Sequence, residues 1–264
     1  PEFLVQECGS SEFLTGFKQE LNDRNMYVFT LNGFPFESFH GERVKEQVYK
    51  PDWSTEERFI YTGSLADILA QLLPEGVFGS ISTVPVTFKE WADDELLDTA
   101  LKNLMKTVMY LDAIHEQTAA CIGLALEPEP GCYLERTDEA VEYFIKTIRC
   151  KGAEFLKMEF GISSGHAEDI IRTHLGICFD TVHAAVMFED PCKAIERYAE
   201  NDIPVFKIHF GAAVTCNTDK ENPAEILSVF TDDVYFHQTM IQDTTGTDIF
   251  FADLPDALRN NPGG

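Results

Sequence analysis

The chain has 264 residues, a length that suits one large α/β domain or two small ones. Lys and Arg number 20 against 45 Asp and Glu, a formal net charge of -25. Such an acidic surface repels phosphate backbones and anionic lipid, which argues against nucleic-acid and membrane-surface partners. Apolar residues make up 44% of the chain without any run long enough to span a bilayer, so no membrane insertion is expected.

In chain order, Phe13, Leu14, Phe17 and Leu21 recur at helical spacing over Ser11 to Asn25. Met26 to Leu31 is rich in aromatic and β-branched residues and reads as a strand ending at Asn32-Gly33. Residues 34 to 53 form a long loop dense in aromatics (Phe34, Phe36, Phe39, Tyr49, Trp53) and carrying His40, Arg43, Lys45 and Lys50. Loops of that length are usually functional, and this one reads either as a lid over a pocket or as packing across a barrel rim. A helix over Leu65 to Leu73 stops at Pro74, and a strand over Val77 to Val84 stops at Pro85. Asp94 to Gln117 is a long amphipathic helix with Leu97, Leu101, Leu104, Val108, Leu111 and Ile114 on one face. Ala120 to Leu126 is a short apolar strand closed by Glu127, and Pro128 to Gly131 forces a turn. Helices follow over Asp138 to Cys150 and Ala167 to Thr173.

Leu175 to Phe179 is a continuous apolar run, the mark of a strand covered on both faces. Asp180 ends it and His183 follows. This pair reads in two ways: as ligands of a shared divalent metal, or as an Asp180 helix cap with a satisfied core histidine. A helix around Cys192 to Glu200 precedes a strand over Pro204 to Phe210 with His209 near its end. A helix over Pro223 to Phe230, a strand at 233 to 237 and a helix from Asp253 complete the pattern. Six strands alternating with helices predict a parallel sheet clad in helices, two strands short of a closed (β/α)8 TIM barrel; an open doubly wound sheet is the alternative, but no Gly-rich phosphate loop follows any strand. A single barrel domain over residues 1 to 264 is expected. Its first and last βα units would lie beyond the ends, which read as cut: the chain opens on Pro1 and closes in a loose Asn/Pro/Gly tail.

The seven cysteines are odd in number and show no Cys-x-x-Cys pair, which points to a reducing cytoplasm rather than a disulfide framework. Cys121 and Cys178 read as small core hydrophobes. Four successive strands end in metal-ligand residue types: Glu127, Asp180 with His183, His209, and His237. Parallel strands would bring these to one rim, and two carboxylates with three imidazoles suit zinc, manganese or iron. Lys207 lies two residues before His209 on the same strand face, and Asn32 is placed to meet a substrate. His115, His166 and His174 read as ordinary helix or loop residues, and Glu129, Glu135, Glu154 and Glu159 as solvated. No Ser/His/Asp spacing signals nucleophilic hydrolysis.

The stretches Leu126-Glu127-Pro128-Glu129-Pro130-Gly131 and Cys178-Phe179-Asp180-Thr181-Val182-His183, together with His209, resemble the xylose-isomerase-like barrel superfamily, which includes the endonuclease-four group and sugar epimerases. Within it the chain is similar to the EboE family of metabolite-traffic proteins over Tyr27 to Pro35, Phe39 to Lys45, Val48 to Trp53, Gly79 to Pro85, His174 to Cys178, Phe236 to Gln238 and Asp253 to Leu258. The resemblance implies a divalent-metal site of Glu127, Asp180, His183 and His209, with His237 matching less securely. It also implies a role in handling or exporting a secondary-metabolite precursor, with other proteins of that pathway as partners. Two functions follow as expectations. One is a metal-dependent isomerase or epimerase on a small polyhydroxylated or phenolic metabolite, with Glu127 and Lys207 catalytic and Asn32, Phe36, His40 and Trp53 around the substrate. The other is a non-catalytic carrier or scaffold. A DNA-repair nuclease is disfavoured by the charge.

Overall fold

The computed structural model describes residues 11–36, 45–217, 220–231, 237–243 and 245–260. Five parallel strands form one sheet in sequential order: β1 (Thr30–Asn32), β2 (Gly79–Thr83), β3 (Ile122–Leu126), β4 (Leu175–Asp180) and β5 (Val205–His209). Helices α1 (Ser11–Asp23), α2 (Glu56–Leu72), α3 (Asp94–Thr118), α4 (Thr137–Tyr143), α5 (Ala153–Phe160), α6 (Ser164–His174), α7 (Thr181–Val186) and α8 (Pro191–Glu200) alternate with these strands. Beyond β5 come α9 (Pro223–Leu227), an antiparallel hairpin of β6 (Thr239–Gln242) and β7 (Asp248–Phe251), and α10 (Leu254–Arg259).

The expected helices are found, with two adjustments, and one expected strand is not seen in the parallel sheet. α2 starts at Glu56, nine residues before the apolar periodicity becomes visible, because the Thr55 side chain accepts from the Arg58 N–H and caps it there. α4 runs without a break through a π-helical stretch, Phe144–Gly152, into α5. The strand expected at 233 to 237 falls mostly outside the described residues, and the next strand, β6, belongs to a separate antiparallel hairpin instead of the parallel sheet. Among the described residues the sheet therefore holds five strands, with no pairing that joins β1 to β5.

The sheet is strongly curled. In a flat sheet β2 and β5 would lie ~14 Å apart at ~4.8 Å per strand. Here the Lys207 ammonium on β5 donates to Ser82 Oγ on β2 at 3.1 Å and to the Leu31 carbonyl on β1 at 3.2 Å. The rings of Phe78, just before β2, and Phe206 on β5 stand 4.9 Å apart.

The register explains how. Ile177 pairs with Val205 but Cys178 pairs with Lys207, so Phe206 is an extra residue bulged out of the β4–β5 ladder. Without that bulge Cys178 would face Phe206, and Lys207 and His209 would point to the opposite face. The inner face carries glycine where the bulged ring must fit. A Cβ at Gly123 would sit 2.5 Å from Phe206 Cδ2, and one at Gly176 would sit 2.5 Å from the Pro204 carbonyl oxygen and 2.7 Å from the same ring.

The helical layer buries the outer face of the sheet. Ile81, Ile122, Leu124, Leu126, Leu175 and Ile177 meet Leu65 and Leu69 of α2 and Leu101, Leu104, Val108 and Leu111 of α3 in one continuous core. Among the described residues no helix is long and apolar enough to cross a membrane.

Candidate metal centre

Because β1 to β5 are parallel, their C-terminal ends share one rim. Glu127 follows β3 and is 5% exposed, its N–H held by the Thr83 carbonyl of β2. Its Oε1 lies 3.2 Å from His209 Nδ1, and its buried Oε2 has no hydrogen-bond partner among the described residues. Asp180, at the end of β4, has two roles. Oδ1 caps α7, accepting from the Val182 N–H at 2.7 Å and the His183 N–H at 3.3 Å, while Oδ2 lies 3.3 Å from the same His209 Nδ1. The two readings of Asp180 open at the sequence level are therefore compatible: one oxygen caps the helix and the other faces the imidazole.

His183 stands on α7 with Nδ1 3.0 Å from the Pro128 carbonyl. A carbonyl only accepts, so Nδ1 carries a proton and Nε2 is the nitrogen left to face a metal. That is the arrangement of histidines that bind metals through the other nitrogen. His209 has its pKa raised, first by the hydrogen bond to Glu127, against an opposing effect of burial.

Two sets of donor groups result, and both contain Glu127. Glu127, Asp180 and His183 form one, and Glu127, Cys178 and His209 the other, with the donor atoms of each set within 4.8 Å of one another. The donor chemistry, carboxylate with imidazole and thiol, is that of zinc, manganese or iron sites, and the partnerless buried Glu127 oxygen fits a cation there.

Cys178 was expected to be a core hydrophobe. It is buried, but its Sγ lies 3.8 Å from His209 Nδ1. The signal was present in the sequence: Cys178 and Asp180 are two residues apart on one strand and must share a face. Burial together with the negative charge of Glu127 pushes the thiol pKa well up, so without a cation it is a thiol.

The other expected site residues take varied places. Lys207 is on the inner face, and its ammonium donates to the Leu31 carbonyl and to Ser82 Oγ. Burial lowers its pKa, with Cys178 and Glu127 opposing. Asn32 ends β1 and its Oδ1 is occupied by the Phe34 N–H and Ser82 Oγ. Phe36 packs edge-on against Tyr61, ring centroids 5.0 Å apart. Trp53 is wholly buried, donating its indole N–H to the Val84 carbonyl while its own backbone N–H bonds the Val86 carbonyl. It clamps the turn at Val86, a β-branched residue held at φ 76°, and is a core residue with no surface for a ligand. His40 lies outside the described residues. His237 joins neither donor set. Its backbone N–H donates to Asp253 Oδ1 at 3.3 Å where the chain enters the hairpin.

Glu129 is a correction. Expected in solvent, it accepts from Tyr49 Oη at 3.1 Å and from Gln238 Nε2 at 2.5 Å, and burial raises its pKa. Glu135 is likewise engaged, by Lys89 and by the Gly131 N–H. The Gln238 bond, the Arg136–Asp248 ion pair and the Phe250 ring against Gly131 brace the β6–β7 hairpin over the turn that follows Glu127.

No family model and no curated protein matches the chain. Among solved structures it is similar to a D-tagatose 3-epimerase-like protein, with 16% identity over 76% of this chain and 62% of that one at a TM-score of 0.48. It is also similar to the 3-keto-D-glucoside 4-epimerase YcjR from E. coli, with 12% identity over 83% of this chain and 82% of that one at a TM-score of 0.43. The chain thus spans less than two thirds of the length of the first of these proteins.

Proposed function

We propose that the chain is a divalent-metal-dependent isomerase or epimerase of the xylose-isomerase-like type, acting on a small polyhydroxylated metabolite. The observation that carries this reading is Glu127. It belongs to both donor sets and is buried, with one oxygen on His209 and the other without a hydrogen-bond partner among the described residues. In this reading Glu127, Asp180, His183 and His209 hold the cation and Cys178 stands by as a further donor. A bound divalent cation would supply Lewis acidity, polarising a carbonyl or hydroxyl oxygen of the substrate.

The chain's own residues do the rest. In this reading Glu127 binds the cation through one carboxylate oxygen and uses the other to take a proton from the carbon beside a carbonyl. Returned to the neighbouring carbon while the hydroxyl proton there moves to the former carbonyl oxygen, that proton gives isomerisation; kept by Glu127 while a solvent proton is added to the first carbon from the other face, it gives epimerisation. Lys207, held by Ser82 and Leu31, brings a positive charge to the inner face near Glu127. His183 is kept in one tautomer by Pro128. The closed (β/α)8 barrel and the EboE-like role in metabolite traffic belong to the same proposal.

The experiment is solvent exchange. Metal-loaded protein is incubated in D2O with a panel of ketoses, aldoses and keto-glycosides. Deuterium should enter carbon next to the carbonyl, and Glu127→Gln should stop it. A non-catalytic carrier is the second reading, favoured by the braced hairpin beside the site. It predicts saturable binding of such a compound with no deuterium incorporated.

A further inference from the structure

At the opposite end of the sheet the helical layer holds a second group of metal-ligand side chains. α3 supplies Asp112 and, one turn on, His115; α6 supplies His166 in its first turn and His174 at its end. Asp112 stands between two imidazoles: Oδ1 is 3.7 Å from His174 Nε2 and Oδ2 is 3.7 Å from His166 Nε2. The His115 ring lies edge-on to that of His174, centroids 5.8 Å apart.

His174 decides the matter. It is fully buried, and its Nδ1 lies 2.7 Å from the Ile122 carbonyl, so Nδ1 carries the proton. The lone pair of neutral Nε2 then points toward an Asp112 carboxylate oxygen, and Nε2 has no hydrogen-bond partner among the described residues. Two electron-rich atoms facing each other in a buried place is an unfavourable arrangement unless a positive charge lies between them.

The separation fits a metal better than a hydrogen bond. At 3.7 Å it is too long for N–H···O. Two ligands of a tetrahedral zinc ion, each ~2.0–2.1 Å from the metal, stand ~3.3 Å apart. A ring nitrogen donating to a backbone carbonyl, leaving the other for the metal, is also the usual support of a zinc histidine.

We propose that Asp112, His166 and His174, with His115 beside them, form a second divalent-cation site of zinc type that ties α3 to α6 at the N-terminal end of β3 and β4. The group is more open than the two donor sets at the rim. Closing it requires His166, whose side chain is 45% exposed, to swing toward Asp112 and His174. Ile122 and Glu127 are at opposite ends of β3, roughly 17 Å apart at ~3.3 Å per residue, so the two sites are separate.

The test counts metal. The whole chain, stripped with chelator and reloaded with Zn2+ or Co2+, is compared with His166→Ala and Asp112→Asn by elemental analysis and by the visible absorption of tetrahedral Co2+. His166→Ala should bind one equivalent fewer than the unmodified chain, or bind that equivalent at least tenfold more weakly, whatever the rim binds. The Co2+ bands of that equivalent should disappear and unfolding should lose the corresponding zinc-induced rise in midpoint temperature. Equal stoichiometry and affinity in the unmodified chain and His166→Ala would overturn the proposal, as would an unmodified chain whose metal is removed entirely by Glu127→Gln. His166 is near solvent, so this variant decides the question even if Asp112→Asn fails to fold.

Discussion

Glu127→Gln should move folding and metal binding in opposite directions. In the metal-free protein Glu127 and Asp180 both direct a carboxylate oxygen at His209 Nδ1, at 3.2 and 3.3 Å. Glu127 and Asp180 also belong to one donor set with atoms within 4.8 Å. At an effective dielectric constant of ~20 two such charges repel by ~3 kcal/mol, partly offset when His209 is protonated. A glutamine keeps an oxygen for His209 and removes one charge, so metal-free Glu127→Gln should unfold at a temperature no lower than the unmodified chain. With cation present the order reverses. Metal at 100 times its dissociation constant stabilises the unmodified chain by ~2.7 kcal/mol. For a chain of this size that is a rise of ~5–11 °C. Outer-sphere partners of a metal site are worth 10- to 100-fold in affinity, and a ligand should be worth at least as much. A hundredfold loss leaves the same metal concentration near the dissociation constant of the rim, whose share of the gain falls to ~0.4 kcal/mol and ~1–2 °C. Differential scanning fluorimetry with chelator and with graded Zn2+ or Mn2+ reads both effects. A variant that keeps the full metal-induced shift would refute the place given to Glu127.

Lys207→Met should leave metal content unchanged and, if Lys207 assists proton transfer, lower turnover by ~10²–10⁴-fold; the comparison is deuterium incorporation per bound metal. Gly176→Ala places a Cβ 2.5 Å from the Pro204 carbonyl oxygen, a backbone atom that cannot move aside cheaply, and should cost ~1–3 kcal/mol in urea unfolding. It should also weaken metal binding, since it pushes β5 away from β4. Glu189 accepts from the N–H and Oγ of Thr137 at the start of α4, and burial raises its pKa above the usual carboxylate range. A raised folded-state pKa means that its contribution is complete below about pH 4.5 and declines as pH rises through the folded value. Glu189→Gln, which cannot ionise, should therefore gain on the unmodified chain in midpoint temperature between pH 4 and 7, and a constant difference would contradict this.

Much of the site was legible because strand and helix periods are local. The run Leu175 to Phe179, the stop at Pro85 and the turn Pro128 to Gly131 locate the strand ends, and parallel strands put Glu127, Asp180 and His209 on one rim. The order β1 to β5 also follows from simple alternation. What pattern could not supply was the register. One bulged residue, Phe206, decides that Lys207 and His209 face Cys178 and Asp180, and nothing in the composition of Val205 to His209 marks it. Nor could pattern separate Trp53, sealed in the core, from an aromatic lining a pocket, because both are aromatic residues in a long loop. Glu129 was misplaced for the same reason. A polar side chain reads as solvated until a distant segment, here Gln238, arrives to bond it. Residue types and spacing determined which atoms could bind a cation; long-range packing alone decided which of them meet.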